Sequence, residues 1–198
     1  MTTRKLRITP LALLGLGMAL MPMAANAQNE TPKPIEPMKM RPEMRLSAMD
    51  KKFMMDAARG GIAEVQLGQL AAKRGAKASV KKFGQHMVQD HSAANEELKA
   101  IAESKSVTLP TDVGAKHKTH IVRLSKLSGA AFDSAYIKHM VMDHEKDVAD
   151  FTKASKMCSD PDVKGFAEKT LPTLKEHYQM ITALRNGKSK MASTKMKM

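Results

Sequence analysis

The chain has 198 residues, 42% of them hydrophobic and 27% charged, which bounds it to one ordinary soluble domain with extensions. Aromatic residues make up only 4%, Trp is absent and Met reaches 18, a palette that suits close-packed helices and excludes an all-β domain. The formal net charge is +13, and a single Cys excludes an intramolecular disulfide and any CxxC zinc or redox motif.

Arg4, Lys5 and Arg7 precede an apolar run from Leu11 to Met23, and the small-x-small sequence Ala25-Asn26-Ala27 follows. This order predicts a secretory signal peptide over residues 1–27, cleaved after Ala27, and hence a periplasmic or cell-envelope location. A membrane anchor fits less well, because a span needs about 20 apolar residues and Pro22 interrupts this run. Losing the signal takes the net charge from +13 to +10, so the mature chain stays basic. Residues 28–47 carry Pro32, Pro34, Pro37 and Pro42 among charges, which predicts a flexible arm.

Ser47 stands three residues before Asp50, a capping-box pattern. Phe53, Ala57, Gly60, Glu64, Leu67 and Ala71 follow at helical spacing, which predicts helix A as far as Gly75. Ser79 is the expected cap of helix B, whose stripe is Val80, Gly84, Met87, His91, Ala94, Leu98 and Ile101, ending before Leu109-Pro110. A short helix is expected around His120 to Leu127. Helix D then runs from about Phe132 to Met157 with Ile137, Met140, His144, Val148 and Phe151 inward. Asp160 as N-cap and Pro161 at the first position open helix E, with Phe166, Thr170, Leu174, His177, Ile181 and Leu184 on one face. Pro172 removes a backbone donor inside it and predicts a kink. Residues 187–198, rich in Lys and Met, are expected to be a solvated tail.

The A/B and D/E turns are short, so each pair is antiparallel, whereas a connection of about 25 residues separates B from D and lets them run parallel. The prediction is an all-α, ferritin-like four-helix bundle over residues 48–186, with a long crossover containing a short extra helix. A repeat supports it: His86-Met-Val-Gln-Asp-His91 in B matches His139-Met-Val-Met-Asp-His144 in D at five of six positions. Parallel helices can bring one motif to one level.

Each long helix carries one ionisable side chain on its apolar stripe: Glu64, His91, His144 and His177. An unpaired polar group in a bundle interior costs several kcal/mol, so four such groups are more economical if they meet. Counting back from the turns puts them at one height. Three imidazoles and a carboxylate are a plausible ligand set for zinc, copper, iron or manganese. The alternatives are a metal-free hydrogen-bonded layer and acid/base use without metal. Asp90, Asp143 and Glu176 each precede a candidate His and are expected at the rim, or as acceptors fixing the tautomer of a His on a neighbouring helix. His86 and His139 lie off the stripe and are expected at an interface or the surface. His117 and His120 lie on the crossover and are expected to cover a bundle face.

Met38, Met40 and Met44 in the arm and Met191, Met196 and Met198 in the tail fall outside the helices. Thioethers prefer soft cations, so weak Cu(I) capture stands beside compositional drift as a reading. Cys158 is a leftover thiol, either buried between helices or open to a partner.

The runs Gly61-Ile-Ala-Glu64-Val-Gln-Leu-Gly68, Met87-Val-Gln-Asp-His91, Gly129-Ala-Ala-Phe-Asp133-Ser-Ala-Tyr136 and Thr170-Leu-Pro-Thr-Leu-Lys-Glu-His177 resemble the bacterial exported domain-of-unknown-function 4142 family. The resemblance covers residues 48–186 and implies a ferritin-like fold and export, with no established reaction. It does not imply a ferritin di-iron centre, because such centres use Glu-x-x-His and the position three before each candidate His is Val88, Val141 or Leu174. The functional expectation is an exported bundle protein holding a metal ion in its core, with no organic cofactor. The second reading is a non-catalytic envelope protein whose basic surface binds an anionic polymer or lipid head groups, with export disfavouring nucleic acid. No motif names a substrate.

Overall fold

The computed structural model describes residues 46–187. The expected signal peptide, nearly all of the arm and the Lys/Met-rich tail lie outside the described residues. Among the described residues, five helices follow one another: α1 (Ala48–Arg74), α2 (Ala78–Ser104), α3 (Gly114–Ser125), α4 (Gly129–Met157) and α5 (Pro161–Arg185). Helices A, B, D and E of the sequence are α1, α2, α4 and α5.

Their contacts set the direction of each. Glu97 pairs with Lys169 and Asp90 with His177, both at 2.8 Å, so α5 runs antiparallel to α2. The Phe53 and Phe151 rings meet at 4.9 Å and Glu64 lies 4.0 Å from His144, so α1 runs antiparallel to α4. With tight turns joining α1 to α2 and α4 to α5, the parallel pairs are α2 with α4 and α1 with α5, the ferritin-like arrangement. A Cβ at Gly68 would lie 2.5 Å from the Gly84 carbonyl oxygen, and one at Gly84 would lie 2.7 Å from the Ala71 Cβ. Glycine at both positions lets α1 and α2 approach closely at this crossing.

Two buried carboxylates clamp the tight turns. Asp133 on α4 accepts from the amides of Ala76 and Lys77 at 2.9 and 3.0 Å. Asp50, fully buried, accepts from the amides of Ser159 and Asp160, and completes the predicted capping box with Ser47. It also holds Cys158, whose thiol is buried and pushed up to about 12 by burial and then by the Asp50 carboxylate. That resolves the cysteine as an inert thiol.

Three local expectations need correction. Ser79 does not cap α2; the N-cap is Lys77, which has no side-chain cap bond, because Asp133 already satisfies the turn from another helix. The crossover helix starts at Gly114 rather than near His120. Gly114 takes φ +70° and donates to Asp112, and the turns that follow are too rich in Lys to show a stripe. α4 starts at Gly129, ahead of Phe132, behind an N-cap Ser128 with no side-chain bond. Helix α5 begins as predicted, with Asp160 accepting from Asp162 and Val163, and it remains helical through Pro172.

The core is in two parts. One apolar cluster gathers Phe53, Leu98, Phe151, Val163, Phe166 and Leu174 around the α4/α5 turn. The other gathers Leu67, Phe83, Met87, Leu124, Phe132, Tyr136 and Ile181 towards the α1/α2 turn. Between them lies a layer of buried polar side chains: Glu64, His91, Asp143, His144 and His177. The apolar packing on either side keeps these five side chains buried.

Candidate metal centre

The helices deliver one imidazole each from α2, α4 and α5. One ring nitrogen of each of His91, His144 and His177 lies within 4.8 Å of the other two. The ring centroids form a near-equilateral triangle, 5.5 Å for His91 to His177, 5.5 Å for His144 to His177 and 6.1 Å for His91 to His144. All three rings are buried, at 7, 0 and 2% exposure in chain order.

The outer contacts orient two of the rings. His144 Nδ1 lies 3.0 Å from the Met140 carbonyl oxygen, so Nδ1–H donates and Nε2 keeps its lone pair. His177 Nε2 lies 2.8 Å from Asp90 Oδ2, so Nε2–H donates and Nδ1 keeps its lone pair. Asp90 thus takes the role expected of it, fixing the tautomer of a His on a neighbouring helix. His91 Nε2, His144 Nε2 and His177 Nδ1 are all buried and none has a hydrogen-bond partner. The two lone pairs fixed on His144 and His177, together with the unpartnered His91 Nε2, make a nitrogen donor set that suits a transition metal. The His91 and His144 rings resist protonation. Burial, then His177 and His144, holds His91 well below the usual imidazole range, and burial followed by His177 lowers His144 to about 4.

Glu64 reaches the same level but faces the other edge of His144. Its Oε1 lies 4.0 Å from Nδ1, the nitrogen already committed to Met140. It meets instead Asp143 and Asp147, whose carboxylate oxygens come within 4.8 Å of one another and of its own. Burial first, and then the Asp143 charge, raise the Glu64 pKa well above the ordinary range, so its neutral form is favoured while no cation is bound. Burial pushes Asp143 up, but the neighbouring Glu64 carboxyl and then His139, His117 and His144 outweigh it and bring Asp143 below its ordinary value. Asp147 rises to about 7 through burial and the Asp143 charge. Of the four residues picked out from sequence, the structure brings three imidazoles to one point and sets the carboxylate beside them. Asp147 was missed, although its spacing of one helical turn from Asp143 put both on one face of α4.

A cavity of about 700 Å³ runs from the surface to this layer, lined by Gly61, Asn95, His117, Asp143 and Asp147 and reaching His91. A Cβ at Gly61 would fall 2.0 Å from Asn95 Oδ1, so a side chain there would collide with the cavity wall. His86 is exposed, whereas His139 is buried and stacks on His120 of α3 at 4.5 Å and 15°.

A family model for a Domain of unknown function (DUF4142) matches residues 36–184. The chain belongs to this family. No curated protein sequence matches it. Among solved structures, a DUF305 fragment from Deinococcus radiodurans superposes with a TM-score of 0.64 at 11% identity, covering 72% of this chain and 98% of that one. A DUF305 protein from Streptomyces coelicolor, proposed to be secreted, superposes with a TM-score of 0.60 at 12% identity, covering 71% and 93%. At such identities the likeness is one of fold. The DUF4142 match spans all four helices that build the polar layer.

Proposed function

We propose that this DUF4142 chain is an exported helical-bundle protein that binds a transition-metal ion through His91, His144 and His177, with Glu64 as a neighbouring carboxyl group. The observation that carries this reading is the convergence of three buried imidazoles from three helices, each with a ring nitrogen that has no hydrogen-bond partner. A buried polar atom without a partner costs about 1–3 kcal/mol, and one ion satisfies all three at once. In an ideal tetrahedral zinc site, ligand nitrogens stand about 3.4 Å apart for a Zn–N distance of about 2.1 Å. Separations of up to 4.8 Å therefore close with small side-chain shifts. A fourth position would face the cavity. Zinc, copper, iron and manganese all accept imidazole, and the metal analysis below chooses among them.

Export is supported by the basic, apolar and small-x-small order of residues 1–27, and by the proposed secretion of the Streptomyces neighbour. Among the described residues, no helix is long and apolar enough to cross a membrane.

The test is metal analysis of untagged protein, repeated on a His91→Ala, His144→Ala double variant. With one equivalent of zinc, copper or iron, one bound ion per chain in the parent and none in the variant is the expected result. Equal content of these metals in both, or none in either after loading with each, would leave a metal-free imidazole layer.

A second reading rests on α3, which carries exposed Lys116, Lys118 and Arg123 and no acidic residue. Such a basic helix would dock on an anionic envelope polymer or lipid head groups. Reversing these three charges should abolish a salt-sensitive binding to anionic vesicles.

A further inference from the structure

We infer that Glu64, Asp143 and Asp147 form a second cation site, distinct from the imidazole triad, that takes a hard, oxygen-preferring divalent cation. The placement is the first argument. Asp143 and Asp147 stand one turn apart on α4, Glu64 faces them from α1, and one oxygen of each falls within 4.8 Å of the others. Surface acidic clusters are common and solvated, but Glu64 is fully buried and neither of its oxygens receives a hydrogen bond from any donor.

An independent group points the same way. Tyr136, fully buried on α4, leaves its hydroxyl without a partner and interacts electrostatically with Glu64. A carboxyl cluster sealed for structural reasons alone would be expected to draw on a buried donor that feels its charge. Around Asp143, His139 Nε2 and His117 Nδ1 are also buried without partners, and both rings act electrostatically on its carboxylate. The cationic side chain nearest in sequence, Lys146, is already paired with Asp150.

Ligand chemistry separates the two sites. Imidazole nitrogens select borderline transition metals, whereas carboxylates select Mn2+, Ca2+ or Mg2+. The cavity supplies a route, because it is lined by Asp143 and Asp147 and its mouth carries the exposed Lys52, Asp56 and Lys153. His144 divides the sites, with Nδ1 on the Glu64 side and Nε2 free for the triad. The alternative state of the cluster is a proton shared between Glu64 and Asp143.

Mn2+ is the probe, because its free aquo ion gives an electron paramagnetic resonance signal that disappears on binding. Untagged full-length protein is stripped with chelator, loaded with one equivalent of Zn2+, and titrated with Mn2+ up to about 1 mM, the weak end for extracellular sites. A single equivalent of Mn2+ should bind. Glu64→Gln and Asp147→Asn should each weaken it at least tenfold while Zn2+ content stays at one. Asp147 is only partly buried, so its variant guards against a folding artefact, checked by circular dichroism. His91→Ala should lose Zn2+ and keep Mn2+, which separates a failure of the triad from a failure of this site. Absence of Mn2+ binding in the parent, or undiminished binding in both carboxyl variants, would overturn the inference in favour of the shared proton.

Discussion

The two copies of the His-Met-Val-x-Asp-His motif lie at one level on parallel helices, and they live in different surroundings. In α2, His86 is exposed, and Asp90, with 35% of its side chain exposed, orients His177 from the rim. In α4, His139 is buried against His120, and Asp143 is buried against Glu64. Only the final histidines, His91 and His144, are equivalent: each is buried and each brings a nitrogen to the triad. The cause is α3, which packs over α1 and α4 and has no counterpart over α2 among the described residues. A motif thus specifies where a side chain leaves its helix, while the neighbouring helix decides what that side chain does.

The comparison depends on the two hairpins keeping their level, so the largest effect should come from a turn clamp. Asp133→Ala leaves the Ala76 and Lys77 amides without their acceptor, at an expected cost of about 4 kcal/mol in urea unfolding of the metal-free protein. A loss below about 0.5 kcal/mol would mean that the turn holds its register without the clamp.

Protonation should separate the final His of the α4 copy from its first acidic neighbours. His144 titrates at about 4 in the fold against an ordinary 6.5, so between these values the unfolded chain binds more protons. Its stabilising contribution is complete above pH 6.5 and is lost as pH falls towards 4, amounting to about 3 kcal/mol. Glu64 works with the opposite sign. Its raised pKa costs stability as pH climbs past 4.5, so acidification relieves it. Comparing metal-free parent with His144→Gln isolates the first effect: the variant should lose less stability on acidification, by roughly 3 kcal/mol. Parallel pH profiles would show that His144 is not held neutral.

The two acidic residues of the motif should differ by about tenfold in zinc affinity. Asp90→Ala removes the acceptor that fixes His177 and should weaken zinc binding by about 10-fold or more. Asp143→Asn touches no ring nitrogen of the triad and should change zinc affinity by less than about threefold, read by competition with a chromogenic chelator. Equal losses would merge the two copies into one role.

The smallest effects belong to the first histidines. His86→Ala, at an exposed position, should change stability by less than about 0.5 kcal/mol, whereas His139→Ala removes a ring stacked on His120 and should cost about 1 kcal/mol. Thermal unfolding of the two variants side by side decides this.

Four helices, their antiparallel pairs and the inward positions of Glu64, His91, His144 and His177 were legible in the chain, because helical period and turn chemistry are local and survive in one dimension. The Asp160-Pro161 helix start and the Ser47/Asp50 box were legible for the same reason. The Ser79 cap failed because Asp133, more than 50 residues away in sequence, took over the turn amides. Asp147 went unnoticed because nothing local distinguishes a buried aspartate from a solvated one.

What the sequence by itself determined is which faces are apolar and which polar side chains interrupt them, since a residue's angle around its helix follows from its number. Only the tertiary structure decided that three imidazoles share one space, that Glu64 stands beside Asp143 and Asp147 across the far edge of His144, and that α3 buries one motif copy and leaves the other open. Those outcomes turn on helix rotations and distances of a few ångströms between elements far apart in the chain, which no single helix encodes.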